Sequence, residues 1–170
     1  MVSKGRTNFR AMVEDKITAL DTLLGMVSTE LNKIEESWGN DTVFLDEIRE
    51  TLYHSIVKEL YSLAEKGFAE LSNKDKAKWK NEWGEKPKGV SDIEIYYRWL
   101  QDDCGGTLPP LKTVWVDFEK FHSIRKQVTH PKRESFDIMR NLTMDFIDNN
   151  IEEVKQALLL AEQVILNSKK

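Results

Sequence analysis

Phe9, Val13, Ile17, Leu20, Leu24, Val27, Leu31, Ile34 and Trp38 recur at steps of three and four, the period of one buried face of an α-helix. Gly39-Asn40-Asp41 ends the pattern. Leu45, Ile48, Leu52, Ile56, Leu60, Leu63, Phe68 and Leu71 form a second stripe of similar length. The short turn between the two predicts an antiparallel pair of long helices, with termini near 38 and 42.

Residues 72–111 change character, holding three of the four prolines and three of the five tryptophans. Ser72 with Asp75, and Ser91 with Glu94, have capping-box spacing, so short helices are predicted near 73–83 and 92–101. Gly84 to Gly89 links them, and the segment from Asp102 to Pro110 reads as a loop. The whole stretch reads as an insertion beside the long helices. Its aromatics, Trp79, Trp83, Tyr96, Tyr97 and Trp99, are expected to form a satellite core rather than a stacking surface for a ligand.

Val114, Phe118, Phe121, Arg125 and Val128 mark a third helix from about 112 to 129. It ends at His130-Pro131, because a residue before proline is disfavoured in the helical region. Between 131 and 147 both periods coexist: Leu142, Met144 and Phe146 alternate as in a strand, while Phe136, Met139 and Leu142 suit a helical turn. Ile147, Ile151, Val154, Leu158, Ala161 and Ile165 then give a final long helix. The expected fold is all-α: a four-helix up-and-down bundle forming one domain over 1–170, with a helical insertion between the second and third long helices.

The chain's length of 170 residues suffices for one core without covalent staples. Apolar residues at 40 % and charged residues at 32 % suit a soluble helical protein. No run reaches the length of a membrane span and Met1 to Arg10 has no apolar signal core, so a cytoplasmic location is expected. The lone Cys104 excludes an internal disulfide or a cysteine zinc cage and reads as a loop spectator.

A net charge of −4 argues against a protein that coats nucleic acid with its whole surface. From Lys120 to Arg133, however, the chain places Lys120, Arg125, Lys126, Lys132 and Arg133 beside His122 and His130, with no acid. Such a window attracts phosphate, although lysines at a helix C-terminus also complement its dipole. Arg125 falls where the stripe calls for a hydrophobe, so its guanidinium must be paired, turned to a cleft or placed at a subunit interface. On one straight helix His130 would point about 140° away from Arg125. The break at proline lifts that restriction.

This pair suits phosphodiester chemistry without a metal. Histidine titrates near neutrality and can move a proton to or from a ribose 2′-hydroxyl or a leaving oxygen. Arginine holds phosphate oxygens and stabilises developing charge. Lys126, Thr129, Lys132, Arg133 and His122 are candidate phosphate or substrate contacts.

The segment Ile124-Arg125-Lys126-Gln127-Val128-Thr129-His130-Pro131 resembles the Arg-x4–6-His signature of the HEPN superfamily, small helical bundles named for higher eukaryotes and prokaryotes nucleotide-binding. The long hairpin, the His-Pro continuation and the chain size are most similar to abortive-infection, AbiU-type members. The resemblance implies a metal-independent endoribonuclease without cofactor, acting on RNA as a toxin or anti-phage effector. It further implies a composite site between two protomers, with Arg125 and His130 as the catalytic pair, and an antitoxin or defence protein as partner. Where many active members carry asparagine, aspartate or histidine after the arginine, this chain has Lys126. Where the branch paired with nucleotidyltransferase antitoxins carries tyrosine two residues after the histidine, it has Lys132.

Two other readings compete. Glu119-x-x-His122 has the spacing of a di-iron motif, but a di-iron bundle needs a second copy and only one is present; no metal site is expected. His54 reads as a helix-face or core residue. The main alternative is a catalytically inactive relative that binds nucleotide, RNA or protein through the basic window.

Overall fold

The computed structural model describes residues 7–38, 42–73, 89–129 and 142–168. All regular structure among them is helical: α1 (Thr7–Trp38), α2 (Thr42–Ser72), α3 (Asp92–Asp103), α4 (Leu111–Val114), α5 (Phe118–Thr129) and α6 (Met144–Ser168). The helices pack as a bundle around one hydrophobic core.

The first stripe is the buried face of α1: Phe9, Val13, Ile17, Leu20, Leu24, Val27 and Leu31 are all in the core. Helix α2 is different, because Tyr53, Val57, Tyr61, Ala64 and Phe68 are buried alongside Leu45, Ile56, Leu60 and Leu63. An apolar surface this wide suits a helix with neighbours on several sides, and α2 packs against α1, α3, α5 and α6. At Gly67 an added Cβ would lie 2.6 Å from Cδ2 of Leu158. The absent side chain lets α2 and α6 approach closely.

Helix α3 begins as its sequence predicts. Ser91 Oγ accepts from the Glu94 amide at 3.1 Å while the Ser91 amide donates to Glu94 Oε2 at 2.7 Å, a reciprocal capping box. The satellite-core expectation is corrected, since Tyr96, Tyr97 and Trp99 join the main core against α2. Trp79, Trp83 and the helix predicted near 73–83 lie outside the described residues, apart from the turn at Asn73. Cys104 is likewise no loop spectator: it is buried and caps α3 by donating its amide to Leu100 O.

The predicted third helix is two helices. Val114 and Val116 flank Trp115 in a run with little intrinsic helical preference, and Trp115 leaves helical geometry at φ −133°, ψ 88°. Its side chain is fully buried, and the indole N–H donates to Asn150 Oδ1 of α6 at 2.7 Å. The Asp117 amide donates to Glu153 Oε2 at 3.4 Å rather than along a helix. The ambiguous stretch resolves at its C-terminal end: α6 begins at Met144, where Thr143 Oγ1 accepts from the Phe146 amide at 3.2 Å. Residues 131–141 lie outside the described part.

Candidate functional site

Helix α5 carries the described half of the basic motif. Phe118, Phe121 and Ile124 are its buried residues. The expectation that Arg125 takes a core position is therefore corrected: Ile124 fills it, and Arg125 is half-buried beside it. Ile124 and Arg125 stand three and four residues after Phe121, so both border the buried face that Phe118 and Phe121 set, and Ile124 takes its core side.

From that flank Arg125 reaches α2. Its guanidinium carbon lies 4.6 Å from the ring centroid of Tyr61, which is cation–π distance. His122, one turn earlier on the same side of α5, places Nδ1 3.0 Å from the Tyr61 hydroxyl. Its ring stacks between Tyr61 at 5.7 Å and Phe118 at 5.9 Å. One buried tyrosine thus touches both His122 and Arg125. Burial pushes the Tyr61 hydroxyl up to about 12; the Arg125 charge and a hydrogen bond with Ser91 oppose that shift, while Glu65 and Asp92 add to it.

The other candidates separate. Lys126 is exposed in the last turn, about 100° further round the helix, where its charge also suits the dipole. Thr129 is exposed and its hydroxyl donates to Arg125 O at 2.6 Å, closing the helix end. His130, Lys132 and Arg133 lie outside the described residues. Lys120, the first cation of the window, sets Nζ 4.3 Å from the Phe146 ring. The structure therefore brings Arg125 and His122 together and adds Tyr61, which the sequence reading missed. The second apolar line Tyr53, Val57, Tyr61, Ala64 and Phe68 on α2 marks Tyr61 as buried, but not as a contact of His122 and Arg125.

Glu119 of the di-iron-like spacing is ion-paired with Lys112 at the surface. Among the described residues no group of three or more histidines, cysteines or acids could hold a metal ion, and no helix is long and apolar enough to cross a membrane. No protein family, curated protein or solved structure matches this chain.

His54, on the same helix as Tyr61, is a separate titrating group. Its Nε2 is buried without a hydrogen-bond partner among the described residues and lies 3.7 Å from Glu50 Oε1. Burial lowers its pKa from the usual 6.5, Glu50 opposes the shift and Lys58 adds to it. The unfolded chain therefore binds this proton more readily than the folded one. Stability should be full above pH 6.5 and fall as pH drops through the lowered folded value. Urea denaturation between pH 5 and 8 should show this slope reduced in His54→Gln, and an unchanged slope would remove His54 as its source.

Proposed function

We propose that this protein is a metal-independent endoribonuclease of HEPN type, a toxin or anti-phage effector most similar to the abortive-infection branch. In this reading the bundle is a four-helix up-and-down fold, formed by α1, α2, α5 and α6 with α3 in the insertion. It pairs as a homodimer whose composite site joins the two motifs. The observation that carries the proposal is Arg125, half-buried at the end of α5 with its guanidinium over a fixed aromatic ring, in an Arg-x4-His-Pro segment.

The chemistry follows from the residue types. His130 takes the proton of a ribose 2′-hydroxyl, the freed oxygen attacks the adjacent phosphorus, and the bond to the 5′-oxygen breaks. That oxygen leaves with a proton returned by imidazolium, giving a 2′,3′-cyclic phosphate and a 5′-hydroxyl. A second imidazole is to hand where two motifs meet. Arg125 stabilises the charge on the non-bridging oxygens, and Lys126, Lys132 and Arg133 attract the RNA backbone.

Purified protein should cleave RNA in EDTA, leave cyclic phosphate ends and spare fully 2′-O-methylated RNA. His130→Ala should abolish cleavage while keeping the wild-type melting curve. Lys126, a cation where many active relatives carry a hydrogen-bond acceptor, favours a second reading: an inactive RNA- or protein-binding module. RNA binding without cleavage across several substrates would decide for that module.

A further inference from the structure

We propose that Tyr61 is a positioning residue: its buried ring is the plate on which Arg125 is held flat, and its hydroxyl fixes the neighbouring His122. The inference rests on the ribonuclease reading of Arg125 and deepens it.

Arginine on a surface helix has a long, rotamer-rich side chain, whereas charge stabilisation in a transition state requires a fixed donor geometry. Tyr61 supplies the missing restraint. It is only 4 % exposed, on the helix that packs against most of the others. Phe121 lies nearly parallel to it, at 6.5 Å and 11°, and His122 stacks at 5.7 Å. A ring held in this way cannot follow the guanidinium; the guanidinium follows the ring. Cation–π attraction adds about 0.5–2 kcal/mol to that preference, and a planar guanidinium stacks where a lysine ammonium would remain a mobile point charge.

The hydroxyl has its own part. A phenol buried in a core needs a partner, and this one meets His122 Nδ1 at 3.0 Å. An apolar residue would fill the position without that requirement. Tyrosine therefore couples two side chains of α5, one through its face and one through its edge, to the central helix.

The test is steady-state cleavage of a fluorescent RNA oligonucleotide in EDTA, with folding checked by thermal melts. Tyr61→Leu should lower kcat about 100-fold through misplacement of Arg125, with KM within about threefold. Tyr61→Phe, which keeps the plate, should recover most of that loss. Arg125→Lys should lose kcat to a similar degree, and adding Tyr61→Leu to it should cost little more, the non-additivity of residues that act through one another. Additive losses, a Tyr61→Leu effect confined to KM, or an Arg125→Lys variant with wild-type kcat would overturn the proposal; the last outcome stands even where Tyr61→Leu does not fold. The Arg125 side-chain protons should also show an upfield ring-current shift by NMR that disappears in Tyr61→Leu. Wild-type protein with that shift but no cleavage would sink the ribonuclease reading, and the positioning role with it, while leaving the plate in place. Cleavage without the shift would sink the plate alone.

Discussion

Replacing Trp115 with alanine is expected to lower the free energy of unfolding by about 3–5 kcal/mol, the range for deleting a large buried aromatic. Trp115 is fully buried, with Phe118 at 5.0 Å and Phe121 at 5.3 Å around its ring. Its indole also closes a polar chain inside the core: N–H to Asn150 Oδ1 at 2.7 Å, then Asn150 Nδ2 to Phe146 O at 2.7 Å. Alanine would open a cavity and leave the Asn150 oxygen without its donor. Asn150→Leu isolates the second contribution, because it strands the indole N–H and should cost about 1–3 kcal/mol. Urea denaturation at equal m-values measures both. Losses under about 0.5 kcal/mol in each would mean that the surroundings collapse around the change and that the chain from Trp115 to Phe146 is no restraint.

That chain also explains which features were legible in the sequence. Signals confined to neighbouring residues translate directly: the α1 stripe from Phe9 to Leu31 is buried as spaced, and Ser91 with Glu94 caps α3. The break before α5 is not local. It depends on Asn150 and Glu153, which accept hydrogen bonds across the bundle, and no window around Trp115 contains them. Within α5 the stripe keeps its phase at Phe118 and Phe121, and Ile124 rather than Arg125 continues it into the core. At the candidate site, the three-residue spacing of His122 and Arg125 already places them on one side of a helix. Tyr61 stays hidden because a tyrosine among core residues of α2 looks like packing. Only its contacts with His122 and Arg125 of α5, the first across 61 positions of chain, distinguish it.

Arg125→Leu separates architecture from chemistry. As a structural element Arg125 contributes a half-buried contact with one ring face, worth about 0.5–2 kcal/mol, and a leucine stem covers much of the same ring. The unfolding free energy should therefore change by less than about 1 kcal/mol, in either direction, as expected for a flank position whose apolar replacement still packs. As a catalytic donor, Arg125 removed from a site that stabilises developing phosphoryl charge should cost about 100- to 1000-fold in kcat. The two magnitudes differ so widely that a single preparation, assayed for RNA cleavage in EDTA and for urea unfolding, decides which role the residue has. Stable protein with lost cleavage assigns Arg125 to the reaction. Stable protein with wild-type cleavage would remove it, and the catalytic pair would have to be sought elsewhere on the molecule.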